Sequence, residues 1–504
     1  FYLFFPLILW LLWKVVKERY WIPILTVVGI GSLFWAQFNW SYDPNGNFYL
    51  LQFRAWELIA GALAAIHLNH RDKGAYSNQW MSGLGLIGIL ISVFAIGSDL
   101  PHPGFITLVP VLSTVLVILA AGPGTLVNRI LSWRALVGVG LISYSAYLWH
   151  QPIFAFYRTA QLHDPQPADF LPLIALVLLL SWASWKFVEN PFRDRKKFGR
   201  KQIFIGTAVL AILVVGVGLF GRSTWADNHR TSIAGKNFDS MQERTKPNRG
   251  LSASCTKFYE AEPKCTSGSE PSLLLWGDSY AMQWALAIKN SPTQVGFVQQ
   301  TLSACGPVLG MAPSNSTYGI EFGKRCIAQN DSVFDWVKRH PNIKYVVLGS
   351  NWQNLLADNA KAYQRDGTIS LIGDKAWQAV RETVTELKAL GVKVVLMLPT
   401  PTNLEDHGAC SLRAIANDTD PAACNFALSS NYRADFAKQL ESYGFGAPVV
   451  SVDDLLCPEG TCLAVRDGNV IYRDPSHISS EGSKFIGETY DLAKILIEAA
   501  DRGN

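Results

Sequence analysis

Three short stretches, far apart in the chain, hold side chains that together could break and remake an ester. Gly277-Asp278-Ser279 ends an apolar, β-rich run and opens a helical one. A serine on so sharp a turn is exposed, and the amides at the start of the next helix face any anion that forms beside it. Serine is a weak nucleophile unless a base takes its proton. Asp474-Pro475-Ser476-His477, near the other end of the chain, supplies one. An Asp three residues before a His can accept the Nδ1 proton and leave Nε2 to take that of the serine. Between them, Gly349-Ser350-Asn351 offers a side-chain amide. With the Ser279 amide and a glycine amide, for which Gly306 beside Cys305 is the candidate, Asn351 could hold a tetrahedral oxyanion. Singly, Gly-Asp-Ser is a common helix N-cap and Asp-Pro-Ser-His an ordinary helix start. Their order along the chain, each at a strand end, joins them into one site.

The elements that must position these residues follow from the hydrophobic pattern. Runs 272–276, 294–298, 344–348, 392–398 and 448–452 read as strands, and 280–288, 331–339, 375–390, 432–443 and 480–500 as helices. That alternation predicts a doubly wound, parallel α/β sheet, whose ligands bind at the carboxyl ends of the strands. All eight cysteines fall in this half, in four sequence-near couples: Cys255 with Cys265, Cys305 with Cys326, Cys410 with Cys424, and Cys457 with Cys462. The even number and the absence of a paired C-x-x-C pattern favour disulfides over a metal site, and hence an oxidising compartment.

The first half has a different solvent. Residues 1–221 carry 16 Lys and Arg against 9 Asp and Glu, while residues 222–504 carry 28 against 31. Twelve of the 17 tryptophans precede residue 226. This division excludes a single soluble globule, a coiled coil, a disordered chain and a protein drawn to nucleic acid by its overall charge. Eight apolar runs suit a membrane crossing: 1–16, 20–38, 48–68, 80–97, 104–121, 135–156, 170–188 and 202–220. Basic residues gather in alternate loops, at Lys14, Lys17 and Arg19, Arg71 and Lys73, Arg129 and Arg134, and Arg193 to Lys201. The positive-inside rule then puts the intervening loops, and everything after Gly221, on the outer side. Phe1 is neither a start methionine nor part of a charged leader, so the chain reads as opening inside a protein. Within the spans, Arg54 and Glu57 are either an internal ion pair or a substrate site. Tyr144 and His150, just before Pro152, either line an interior cavity at a proline kink or belong to an interfacial aromatic belt. Residues 222–250 read as a linker or an irregular extension of the following domain.

The G-x-S-x-G elbow of α/β-hydrolases is absent. Instead, Gly277-Asp278-Ser279, Gly349-x-Asn351 and Asp474-x-x-His477 resemble the blocks of the SGNH (GDSL-type) hydrolase superfamily. The resemblance implies Ser279 as nucleophile, His477 as base, Asp474 as its orienter and Asn351 as oxyanion donor; the glycine block is not clear. Residues 1–221 resemble the later part of the acyltransferase-3 family of bacterial inner-membrane proteins. The likeness lies in Phe1-Tyr2-Leu3-Phe4-Phe5-Pro6, Phe53-Arg54-Ala55-Trp56-Glu57-Leu58 and Ile142-Ser143-Tyr144-Ser145-Ala146-Tyr147-Leu148-Trp149-His150-Gln151-Pro152. The organisation expected is a membrane acyltransferase-like bundle (1–221), an outer extension (222–250) and a periplasmic SGNH-like α/β domain (251–504). The two resemblances together imply O-acetylation of a cell-surface glycan such as O-antigen, with acetyl-CoA as acyl donor, a glycan acceptor, no tightly bound cofactor and no metal. The family's catalytic His and Arg-rich loop would lie upstream of Phe1, so this chain alone is expected to lack acetyl-CoA-dependent activity. Two alternatives stay open: a membrane-tethered carbohydrate esterase, and a glycan transporter whose outer domain only binds.

Overall fold

A computed structural model describes residues 10, 14–40, 44–69, 77–97, 100, 102–163, 165–193, 198–229, 238–256, 263–315, 317–352, 360–371, 374–428 and 442–503. The chain forms two compact units, 1–141 with 314–323, and 142–313 with 324–504.

In the first unit, helix Trp21–Asn39 buries Leu25, Gly29, Ser32 and Ala36, a stripe at helical spacing. The stripe meets helix Leu51–Asn69, where the Ser32 hydroxyl donates to the Gln52 carbonyl at 2.6 Å and accepts from the Trp56 amide at 3.3 Å. Helix Gln79–Ala95 packs on Leu108–Ala120 through small residues: a Cβ added at Gly88 would lie 2.1 Å from Ser113 Oγ. Segments Trp21–Asn39, Gly46–Asn69, Pro167–Arg193 and Lys201–Gly221 are long and apolar enough to cross a membrane. Among the described residues these four coincide with four of the eight expected spans. Helices Gln79–Ala95 and Phe105–Ala120 are shorter, and the 27-residue helix Arg134–Ala160 is more polar, with Arg134, His150 and Arg158. The first expected span lies largely outside the described residues, as do the Phe1–Pro6 motif and the loop bases Arg71, Lys73, Arg195, Lys196 and Lys197.

In the second unit the α/β domain is built on six strands: β1 (Thr266–Ser267), β2 (Leu273–Gly277), β3 (Phe297–Thr301), β4 (Tyr345–Gly349), β5 (Lys393–Met397) and β6 (Val449–Val450). Their order is β1-β3-β2-β4-β5-β6, parallel except for β1, which pairs with β3 antiparallel. Alternate residues of β2 face opposite layers, as the two-residue period of a strand requires. Leu274 and Trp276 pack with helices Ile320–Arg339 and Asp374–Ala389, through Val333, Trp336, Val380 and Val384. Leu273 and Leu275 pack with Trp284, Ile288, Ile486 and Leu496 on the other face. Because β2 feeds β3 on one side and the later strands on the other, the direction of winding reverses at β2, and a crevice opens at its carboxyl end.

The expected elements recur with corrections: the helix expected over 280–288 is two short ones, Ser279–Met282 and Ala285–Lys289. The second strand is Phe297–Thr301 rather than 294–298. Helix 331–339 begins earlier, at Ile320, and the last helix breaks at Asp491 into Ser480–Tyr490 and Leu492–Gly503. The helix expected over 432–443 lies outside the described residues except at its end.

The cysteines are joined as the sequence couples them. Cys255 is bonded to Cys265, Cys305 to Cys326, Cys410 to Cys424, and Cys457 to Cys462. Each bond therefore closes a short local loop and leaves none of the eight as a thiol. Cys265 ends a one-turn helix directly before β1, so the first bond ties the strand's entry to Cys255. Cys326 lies on helix Ile320–Arg339, and its bond to Cys305 anchors the loop that leaves β3. Cys462 is buried against the layer formed by Leu273 and Leu275, together with Cys457. The segment from Arg244 is built into the α/β domain: Arg244 pairs with Glu481 at 2.8 Å, and the buried Asn248 amide donates to the carbonyls of Gln283 and Ser479.

Candidate active site

Strand β2 ends at Gly277, in register with Gly349 at the end of β4. The two backbones approach so closely that a Cβ on Gly277 would fall 1.8 Å from the Gly349 carbonyl oxygen, so no other residue fits there. Asp278 then ties the two strand ends together. Its Oδ1 caps the next turn by accepting from the Tyr280 amide at 2.8 Å, and its Oδ2 accepts from the Ser350 hydroxyl at 2.7 Å and the Asn351 amide at 3.0 Å. The carboxyl is buried. Burial raises its pKa, while the three hydrogen bonds hold it down in part. The sequence shows the N-cap; the grip on Asn351 depends on Gly277 and Gly349 sharing a register and has no local signature.

This turn presents Ser279 to the segment before helix Ser480–Tyr490. Ser279 Oγ lies 2.8 Å from His477 Nε2, and His477 Nδ1 lies 3.0 Å from each Asp474 oxygen. The carboxylate partner assigns the proton to Nδ1, so Nε2 accepts from the serine hydroxyl. Asp474 Oδ1 also accepts from the amides of Ser476 (2.9 Å) and His477 (2.8 Å), and Oδ2 lies 3.1 Å from Arg473 Nη2. Burial alone would raise the Asp474 pKa. The hydrogen bond and charge of His477, the Ser476 amide and the Arg473 guanidinium outweigh it and hold the carboxyl at about 2. The turn is braced on both sides. The hydroxyls of Thr400 and Thr402 donate to the carbonyls of Ser476 and Pro475, and Gln283 Oε1 accepts from the Ile478 amide at 2.8 Å.

Asn351 Nδ2 donates to Tyr280 Oη at 3.4 Å, and the Tyr280 ring packs on His477 with centroids 4.7 Å apart. Burial pushes the Tyr280 phenol above its ordinary range, and a hydrogen bond with Ser476 opposes the shift. The Gly306 loop leaves β3 beside the nucleophile turn, where the Leu302 amide donates to the Gly277 carbonyl at 3.0 Å. Gly306 itself is buried, and its carbonyl accepts from Asn330 Nδ2 (2.8 Å) and the Val308 amide (2.9 Å). Among the described residues, no hydrogen bond joins Gly306 to Ser279. Sequence reasoning missed Tyr280, Thr400 and Thr402, recruited by tertiary hydrogen bonds, and Arg473, which pairs with its neighbour Asp474. Among the described residues, no group of three His, Cys, Asp or Glu side chains is placed to hold a metal.

The membrane candidates separate. Arg54 and Glu57 form an ion pair at 3.2 Å on one helix, with the guanidinium also over the Phe48 ring. His150 Nδ1 contacts the Tyr147 carbonyl of its own helix at 2.7 Å. Tyr144 instead lines an open, largely apolar cavity of about 440 Å³ with Ser145, Trp149, Pro152, Ser184 and Glu189. His150 is not in that lining. Glu189, which the sequence reading passed over, ends a π-helical turn (Trp185–Glu189) and pairs with Arg193 at 3.0 Å.

A serine at a strand-end turn, bonded to a His–Asp pair from the last β-to-helix connection, is the arrangement the three sequence blocks imply, and whole-domain comparison agrees with it. The family described as "SGNH domain (fused to AT3 domains)" matches residues 252–491, and that described as "Acyltransferase domain" matches residues 1–186. The chain is an acyltransferase-3 domain joined to an SGNH domain. It is similar to the "Peptidoglycan O-acetyltransferase OatA" of Listeria monocytogenes, 26% identical over 269 residues that cover 46% of this chain and 43% of the relative. It is also similar to the "O-acetyltransferase OatA" of Staphylococcus aureus strain MRSA252, 28% identical over 233 residues, 43% of this chain and 39% of that one. The chain thus spans about two fifths of the length of the curated relatives it matches. The triad described above lies wholly in the SGNH domain.

Proposed function

We propose that this protein transfers an acyl group, acetyl in the first instance, from acyl-CoA across a membrane to a hydroxyl of a cell-surface polysaccharide. Acyltransferase and SGNH domains in one chain, and relatives whose names describe O-acetyl transfer, support the reaction class. The observation that carries the reading is the unbroken chain from Ser279 Oγ through the His477 ring to Asp474. In this reading Ser279 Oγ attacks the acyl carbonyl as His477 Nε2 takes its proton. The oxyanion is held by the Ser279 amide, Asn351 Nδ2 and a glycine amide, with Gly306 the candidate. His477 returns the proton to the departing group, and an acyl-Ser279 ester remains. A sugar hydroxyl then attacks that ester, gives its proton to His477 and leaves acylated, and Ser279 recovers its hydrogen.

The acyltransferase bundle lies in the bacterial inner membrane in this account, with the SGNH domain on the outer side. The four disulfides support an oxidising compartment there, and the basic loops support the orientation. The acceptor is a polysaccharide such as O-antigen or peptidoglycan, free or lipid-linked. Membranes holding the protein together with the upstream part of the acyltransferase-3 bundle, given acetyl-labelled acetyl-CoA and each acceptor in turn, test the proposal. Label on the sugar that vanishes in Ser279→Ala supports transfer. Net loss of ester from a pre-acetylated glycan, with no label gained, assigns the same pocket to an esterase. A surface phenotype indifferent to Ser279→Ala leaves only a binding role.

A further inference from the structure

Three consecutive residues between helices Arg134–Ala160 and Pro167–Arg193 touch one piece of the SGNH domain, all within the second compact unit. The Gln161 carbonyl accepts from Arg413 Nη1. Leu162 packs against the buried cluster of Cys410, Ala414, Cys424 and Ala464. His163 Nδ1 lies 3.3 Å from Glu405 Oε2. The contacted helix, His407–Ala416, is rigidly held. Asp406 caps it by accepting from the Ala409 amide at 2.8 Å, and Cys410 is bonded to Cys424. His407 is buried and stacked on Phe426, with centroids 4.0 Å apart.

The far side of the same segment grips the triad turn. Thr400 and Thr402 hold the carbonyls of Ser476 and Pro475. Gly408 lies so close to Arg473 that an added Cβ would fall 2.3 Å from its carbonyl carbon. A strut from Thr400 to Cys424 therefore runs from the 161–163 loop to the base of His477.

We propose that Gln161–His163 is a docking post that fixes the SGNH pocket to the helix pair on either side of it, through the disulfide-stapled helix His407–Ala416. The proposal rests on the transfer reading above. An acyl group passed from the membrane helices to Ser279 gains from a fixed geometry, whereas an ester that diffuses in from solution does not need one. The His163–Glu405 pair is half-exposed and adds little, so the post works through Leu162 and the charge-assisted bond from Arg413.

Two experiments in membranes decide it, the second with the upstream part of the acyltransferase-3 bundle supplied as above. In the first, His163→Cys with Glu405→Cys is treated with a short bis-maleimide. A linked 163–405 peptide is expected, and its absence, with both thiols reactive to a monofunctional maleimide, overturns the contact. This readout needs no activity, so it can fail or succeed independently of the transfer reading. In the second, Leu162→Asp is expected to lower sugar acetylation about tenfold or more while hydrolysis of p-nitrophenyl acetate is unchanged. Equal loss of both activities, or loss of neither, contradicts the post.

Discussion

The α/β domain and the membrane helices follow opposite rules of burial. Every residue of β2 and β3 is buried, polar ones included, whereas the membrane-length helix Lys201–Gly221, with a mean hydropathy of 2.7, buries none of its residues. In water, burying a polar group demands a partner, so the α/β domain is a web of specified hydrogen bonds that can hold a reacting group to within a few tenths of an ångström. In lipid, an exposed apolar helix face costs nothing. Specificity then rests on small-residue contacts such as Gly88 on Ser113 and on the few polar groups turned inward. Chemistry that needs a positioned nucleophile belongs in the first environment, and Ser279 is found there.

Substitutions probe that contrast, and the largest effect is expected at the nucleophile. Ser279→Ala should lower turnover on any ester by about 10⁴-fold or more while leaving the thermal midpoint unmoved; a residual rate within about tenfold of wild type would remove the triad from the reaction. Next comes Asp278→Asn. The replacement side chain keeps one acceptor oxygen, so it cannot serve both the Tyr280 amide at one position and the Ser350 hydroxyl and Asn351 amide at the other, and thermal unfolding in detergent should show a loss of about 1–3 kcal/mol. An unchanged midpoint would mean the two strand ends do not depend on this carboxylate.

Acid stability offers a third comparison. The Asp474 pKa is depressed from 3.8 to about 2, so its contribution, about 2 kcal/mol, is complete above about pH 4 and is lost as pH falls through 2. Asp278 acts with the opposite sign, because its raised pKa makes protonation favourable to the fold. Asp474→Asn isolates the first: acid titration should show wild type losing its advantage over the variant between about pH 4 and 2. A difference that persists at pH 2 would contradict the ion-pair geometry. The smallest effect is expected on the lipid-facing helix, where Leu210→Ala should change stability by about 0.5 kcal/mol or less in detergent, unlike any residue of β2. A large loss there would show that the helix is packed against protein.

The same contrast explains what was legible from residue types alone. Ser279, Asn351, Asp474 and His477 could be found because each sits in a short block beside a strand end, where local chemistry and topology coincide. The disulfides were legible for the same reason, since every couple, from Cys457 with Cys462 to Cys305 with Cys326, is a near neighbour in the chain. Asp278's second oxygen, Tyr280 and the two threonines act across the fold and leave no periodic trace. Strand β3 reads three residues early because Gln299, Gln300 and Thr301 look like surface residues. They are buried, with the Gln299 amide satisfied by Thr301 Oγ1, the Arg249 carbonyl and the Leu251 amide. The break at Asp491 is hidden for a similar reason. Its backbone turns left-handed (φ 52°) where its carboxylate accepts from the Thr293 amide and hydroxyl. In the membrane half, composition reveals apolar runs and loop charges. It leaves open whether Arg54, Glu57, Tyr144 and His150 face a ligand, since a lipid-compatible helix constrains its contacts weakly.

Mass analysis of the Ser279 peptide after brief exposure of the protein to an activated acetyl ester tests the central claim most directly. The account predicts one acetyl group on Ser279 in the wild-type protein, and none when His477 is replaced by Ala. Acetyl on a different residue, or on Ser279 to the same extent without the imidazole, would contradict it.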